Sequence, residues 1–180
     1  MARGVTIWLT GLSGAGKSTI AERLSAELRA RERAVEVLDG DDVRTHLSHG
    51  LGFSRTDRDT NVARIAFVAQ LLTKHGVTVV TAAISPYAAA RQAARAAIGD
   101  FIEVYVRCRL DELIRRDPKG LYARAQRGEL PHFTGVSDPY EEPVAPEVVV
   151  DSGTQTVDES VAAIIAHLDA AGYLRAPVRA

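Results

Sequence analysis

Cysteine is almost missing from this chain: Cys108 stands alone, so no internal disulfide can form and a four-thiolate zinc site is impossible. Lysine is scarce too, present only as Lys17, Lys74 and Lys119, and a formal net charge of −1 gives no general pull toward nucleic acid or a membrane surface. Any anion site must therefore be built locally. No apolar run approaches the roughly 18 residues that span a bilayer. The N-terminal Met1-Ala2-Arg3-Gly4 leads into Val5 to Leu9, an apolar stretch too short for a signal-peptide core. These absences fit a cytoplasmic protein with neither a membrane nor a nucleic-acid partner. What is present, 46% hydrophobic and 25% charged residues, is the composition of a globular chain, and the length suits one domain over residues 1–180.

Apolar, β-branched runs recur at Val5 to Thr10, Ala34 to Leu38, Val77 to Ala82, Phe101 to Val106 and Glu147 to Val150. They are continuous rather than alternating, as in parallel strands covered on both faces. Helical spacing fills the gaps, at Lys17 to Arg31, Asp57 to Lys74, Pro86 to Ile98 and Val157 to Ala171. The alternation predicts an α/β domain, a five-stranded parallel sheet with helices on both faces, and ligands at the carboxyl ends of the strands. One segment departs from it. Asp117 to Pro146 carries most of the chain's seven prolines together with several glycines and aromatics, and reads as a lid or binding loop.

Gly11-Leu12-Ser13-Gly14-Ala15-Gly16-Lys17-Ser18, followed by Thr19, fits the GxxxxGK(S/T) pattern of a P-loop between a predicted strand and a predicted helix. Glycines let backbone N–H groups turn inward around a β-phosphate, and the helix N-terminus adds its positive end. Lys17 then reaches the β- and γ-phosphates, and the Ser18 hydroxyl ligates Mg²⁺. A merely structural turn has no need of Lys17 and Ser18 at those places. The chain lacks the Asn-Lys-x-Asp base-recognition motif of GTP-binding switches, which weakens that reading. Small-molecule kinases of this fold instead present acceptor residues after the second and third strands and a cationic lid, and the chain has candidates in all three places. After the second strand, Asp39-Gly40-Asp41-Asp42-Val43-Arg44 offers carboxylates that can orient a hydroxyl or hold metal-bound water, and Asp41 is the candidate for positioning the attacking hydroxyl. The same aspartates can instead cap a helix.

With GLSGAGKST at Gly11 to Thr19, LDGDDVR at Leu38 to Arg44, LGFSRTDRDTN at Leu51 to Asn61, ISPY at Ile84 to Tyr87, RDPKGLY at Arg116 to Tyr122, FTG at Phe133 to Gly135 and DPYE at Asp138 to Glu141, the chain resembles the adenylylsulfate kinases from about Gly4 to Leu174. The resemblance implies transfer of the γ-phosphate of ATP to the 3′-hydroxyl of adenosine 5′-phosphosulfate, with Mg²⁺, in a homodimer. It also implies roles. Phe53 and Phe133 sandwich the acceptor adenine; Arg44, Arg58 and Asn61 hold its phosphosulfate and ribose; Ile84 and Ser85 contact it; Lys119 closes over the reacting phosphates, with Arg116 or Arg124 adding positive potential. The position of Ser85 has been regarded in the family as a phosphoserine intermediate. A P-loop site places ATP for direct in-line transfer without such a relay, and Ser85 also reads as the N-cap of a helix opening at Pro86.

The chain departs from the family after ISPY, where an Arg-x-Asp-Arg type run is common and Ala88-Ala89-Ala90-Arg91 stands instead, so polar contacts are expected to be missing there. His132 stands where glycine is frequent, and Ala63 where a basic residue is common. Two other functions fit part of the pattern. One is a kinase for a different anionic nucleotide; the other is a nucleotide-binding module without activity, which the retention of Lys17, Ser18 and Asp41 argues against.

Overall fold

A computed structural model describes residues 3–174; the first two and last six positions of the expected domain lie outside the described residues. Five strands, β1 (Val5–Thr10), β2 (Val35–Asp39), β3 (Thr78–Ala82), β4 (Phe101–Arg107) and β5 (Val148–Asp151), form one sheet in the order β2-β3-β1-β4-β5. Every pairing is parallel; Ile7 of β1 lies opposite Val80 on one side and Ile102 on the other. Parallel pairing brings all five carboxyl ends to one edge of the sheet, where the loops after β1, β2 and β3 meet.

The helices are α1 (Lys17–Ala30), α2 (Gly40–His46), α3 (Arg55–Thr73), α4 (Ala88–Ile98), α5 (Leu110–Arg116), α6 (Leu121–Gln126) and α7 (Val157–Ala170). Successive side chains of β1 point to opposite faces, so the strand feeds two cores. Ile7 and Leu9 pack with Leu24 and Leu28 of α1 and Ile164 and Leu168 of α7. Trp8 packs on the other face with Ile65 of α3, Ala94 of α4 and Phe101, whose ring it stacks on at 5.5 Å. Among the described residues, no helix is long and apolar enough to cross a membrane.

The structure alters the sequence reading at several elements. β2 is an edge strand and only partly buried, not covered on both faces. The short helices α5 and α6 were not anticipated, and α2 was foreseen only as the helix that the aspartates after β2 could cap; at 7, 6 and 7 residues they are too brief for a 3.6-residue period to repeat. The segment read as a lid therefore opens with a helix, and Asp117 caps it by accepting from the N–H groups of Tyr122 and Ala123. α4 starts at Ala88 rather than Pro86, and Ser85 is not its cap. Tyr87 occupies the N-cap without a side-chain bond, and the carboxylate of Glu141, far along the chain, accepts from the N–H of Ala88 at 2.7 Å.

Leu24 is fully buried between α1, the sheet and α7. Leu24→Ala is expected to destabilise the protein by about 2–5 kcal/mol through lost transfer energy and a residual cavity. Urea unfolding checks this; a shift below about 1 kcal/mol would mean that the α1 face repacks around the truncated side chain.

Candidate active site

β1 ends at Thr10, and the chain turns at once into the glycine-rich loop. A Cβ on Gly11 would stand 2.4 Å from the carbonyl oxygen of Val106, so only glycine lets the loop leave β1 this close to β4. The loop ends at Gly16, which takes the N-cap of α1 in a left-handed conformation with no side-chain cap. The first N–H groups of α1 are thus left without a side-chain acceptor, and their dipole favours an anion.

Lys17 opens the helix and is 9% exposed. Its ammonium donates to the carbonyls of Gly11 at 2.9 Å and Leu12 at 2.8 Å. Burial lowers its pKa to about 8; Asp39 opposes the shift and the positive charge of Lys119 adds to it. The Ser18 hydroxyl donates to the Asp39 carboxylate at 2.6 Å. Asp39 also caps α2, accepting from the N–H of Asp41 at 3.0 Å. The two readings of the Asp39–Arg44 run thus divide between residues: Asp39 takes the cap, and the exposed carboxylate of Asp41 meets Lys119 Nζ at 3.1 Å.

A cleft of about 510 Å³ runs from this cradle and is lined by Lys17, Ser18, Asp41, Arg44, Phe53, Arg58, Asn61, Ile84, Ser85, Lys119 and Phe133. Every acceptor residue expected from the resemblance borders this one space. Of the loop residues, Ser13, Gly14, Gly16, Lys17, Ser18 and Thr19 line it as well, whereas Leu12 turns into the core and meets Gly135. The Phe53 ring, 53% exposed, carries the Arg44 guanidinium at 4.4 Å and that of Arg58 at 5.4 Å. Arg58 is buried and donates to the carbonyls of Phe53 and His132, joining the two loops that bear the aromatic rings. His132 accepts that bond from a left-handed conformation, φ 58°, which accounts for glycine being frequent at this position. Burial lowers the pKa of both Arg44 and Arg58. The Asn61 side-chain oxygen is buried without a protein partner.

Other residues did not stand out in the sequence. Tyr122 of α6 donates its hydroxyl to the Ser13 carbonyl at 2.7 Å, and its ring meets Phe133 edge-on at 5.1 Å, which ties the lid segment to the phosphate loop. A smaller cavity of about 130 Å³ adjoins the cradle beside Arg116, Ser152 and Gln155. Neither Arg116 nor Arg124 lines the cleft that Lys119 borders: Arg116 is bonded to Glu112 and Ser152, and Arg124 pairs with Glu129. Nor are polar contacts missing after ISPY, because Arg91 is buried there with a hydrogen bond from each of its three guanidinium nitrogens. Ser85 is buried with φ 46°; its hydroxyl accepts from the Trp8 indole at 3.1 Å and faces the Ala83 carbonyl at 3.4 Å.

A model of the adenylylsulphate kinase family matches residues 3–151. The chain belongs to that family. An adenylyl-sulfate kinase from Gloeothece citriformis is 57% identical over 173 residues, covering 96% of this chain and 98% of that one. A probable bifunctional SAT/APS kinase 2 from Sorangium cellulosum is 58% identical over 95% of this chain, which spans 29% of that longer protein. Among solved structures, the Mycobacterium tuberculosis APS kinase CysC in complex with AMPPNP and APS matches with a TM-score of 0.90 and 42% identity, covering 94% of this chain and 99% of that one. Against these adenylylsulphate kinases, the five-stranded parallel sheet described here is the family's P-loop fold.

The lowered pKa of Lys17 sets a pH signature in the ligand-free enzyme. Its folded value of about 8 lies below the ordinary value near 10.4, so between the two the unfolded chain binds the proton more tightly and stability rises with pH. This contribution is complete above about 10.4 and is lost as pH falls through about 8. Lys17→Met should flatten that rise in urea midpoints; an identical slope in the variant would remove Lys17 as its source.

Proposed function

We propose that this protein is a single-domain kinase that transfers the γ-phosphoryl group of ATP to the 3′-hydroxyl of adenosine 5′-phosphosulfate, giving ADP and 3′-phosphoadenosine 5′-phosphosulfate. The observation that carries the reading is the single cleft shared by the cradle lysine and both phenyl rings, with the Asp41–Lys119 pair close enough for its charges to act on Lys17.

The donor phosphates occupy the loop amides and the start of α1, and the ammonium of Lys17 moves from the Gly11 and Leu12 carbonyls onto phosphate oxygens. The small cavity beside Arg116 takes the donor nucleoside. At the other end Phe53 and Phe133 stack on the acceptor base. Arg44, Arg58 and Asn61 hold the ribose and phosphosulfate; Arg58 does so with Nη1, since Nε and Nη2 are engaged by the backbone. Lys119 leaves Asp41 for the transferring phosphoryl group, which frees the Asp41 carboxylate to accept a hydrogen bond from the 3′-hydroxyl and aim it in line. The bond from the γ-phosphorus to the ADP oxygen breaks as the bond to the 3′-oxygen forms, and the hydroxyl proton passes to the Asp41 carboxylate and from there to solvent. Ser85 supports the acceptor wall rather than carrying the phosphoryl group, because its hydroxyl is buried against Trp8.

Ser18 and Asp39 present hydroxyl and carboxylate oxygens side by side, a hard donor set that fits Mg²⁺ bound partly through water. Held by Ser18 and Asp39, the ion would supply positive charge to offset that on the phosphates during transfer. The assembly is a homodimer in the cytoplasm, which sedimentation and cell fractionation can test.

The deciding experiment follows ADP release with adenosine 5′-phosphosulfate, AMP, adenosine and pyrimidine nucleotides side by side. Strong stimulation by the phosphosulfate alone is expected; stimulation only by a non-sulfated acceptor would replace this reading with a different nucleotide kinase. Lys17→Ala should slow turnover by roughly a hundredfold or more, as loss of other preorganised charge stabilisers does. Phe53→Ala should raise the acceptor KM by about tenfold while the ATP KM holds, since stacking a base on an aromatic ring contributes about 1–3 kcal/mol.

A further inference from the structure

The wall of the cleft after β3, Ala83 to Pro86, is held in a conformation that its own sequence does not favour. Ser85 sits at φ 46° without being glycine, a strained conformation that persists only where the surroundings over-determine it. Arg91 does much of that fixing. It lies one turn into α4, is 3% exposed and does not line the cleft. Its Nη1 donates to the Ser85 carbonyl at 2.7 Å and its Nη2 to the Glu141 carbonyl at 2.7 Å, while Nε is held by the Glu103 carboxylate of β4 at 2.7 Å. Glu141 closes the stitch from its side: its N–H donates to the Pro86 carbonyl at 2.8 Å and its carboxylate caps α4. One guanidinium thus joins the acceptor loop, the central sheet and the Tyr140–Glu141 strap.

Stability alone is a poor reason for this arrangement. Burying a charge pair is expensive, and apolar replacements of both partners together are often neutral or stabilising. The geometry of Arg91 instead serves the two carbonyls, which no apolar side chain could hold.

We propose that Arg91 is a positioning residue for acceptor binding: supported by Glu103, it locks the Ser85 and Glu141 carbonyls together and so fixes the wall against which the acceptor nucleotide lies. The proposal rests on the acceptor placement given under Proposed function. Arg95 provides the control, because it belongs to the same ion-pair cluster, bonding Glu147 at 2.7 Å and Glu103 at 3.5 Å, but makes no hydrogen bond to the acceptor loop.

Steady-state kinetics and melting curves on Arg91→Lys, Arg95→Lys and the double variant Arg91→Met/Glu103→Leu test it. The double variant removes both charges at once, so no buried carboxylate is stranded and the fold is kept. Arg91→Lys and the double variant should each raise the acceptor KM by about tenfold or more, with ATP KM unchanged, because the Ser85 and Glu141 carbonyls lose the guanidinium that holds them together. Arg95→Lys should lower the melting temperature and leave the acceptor KM alone. A double variant with wild-type acceptor KM would overturn the proposal, as would an Arg95→Lys variant with the same KM rise, since that would mean general loosening. Failure of the acceptor reading itself shows separately, as wild-type enzyme without phosphosulfate-dependent ADP release.

Discussion

Four cations, Lys17, Arg44, Arg58 and Lys119, border one cleft against two carboxylates, Asp39 and Asp41, in a chain whose formal net charge is −1. Keeping this local excess of positive charge ordered, partly out of water and without an anion is the constraint on which the site depends. Each cation has an interim partner. Lys17 rests on two carbonyls, Lys119 on Asp41, Arg58 on two carbonyls and Arg44 on the Phe53 ring and the Gly52 carbonyl. A polyanion can displace the contacts of Lys17, Arg44 and Arg58 because neutral carbonyls and a ring face bind a cation less strongly than a phosphate does.

The sheet makes that concentration of charge possible. Because every strand runs the same way, the loop after β1, the Asp39 cap after β2 and the Ser85 turn after β3 come to one edge without any long excursion of the chain. The remaining side is closed by the segment after α5, which is anchored by the buried Tyr122 ring in the core and by individual hydrogen bonds. Tyr122 reaches the Ser13 carbonyl, Arg58 reaches His132, and Tyr140 reaches Thr10 at 2.9 Å.

The central strands β1, β3 and β4 were legible in the sequence because burial on both faces leaves little choice of residue, and β1 is buried at every position. The phosphate loop was legible because its chemistry fixes residue type at each place. Spacing alone could not divide the Asp39–Arg44 run, where either carboxylate could have capped α2; the division rests on which one lies beside Ser18. Ser85 followed by Pro86 carries the local signature of a helix start, yet the real cap, Glu141, lies 53 residues away and leaves no local trace. Arg91 was hidden for the same reason. Counting side chains after ISPY registers the alanines as losses, while the carbonyls of Ser85 and Glu141 that Arg91 serves do not appear as residue identities at all.

That distant cap has a temporal consequence. Helix α4 leaves the ribosome with its first amide unprovided for, and the residue that completes it is made only after the whole of β4, α5 and α6. Ser85 likewise waits for the Arg91–Glu141 bond before its turn is fully braced. The half of the molecule that faces the second nucleotide therefore matures late, when a loop closure of more than fifty residues has been won.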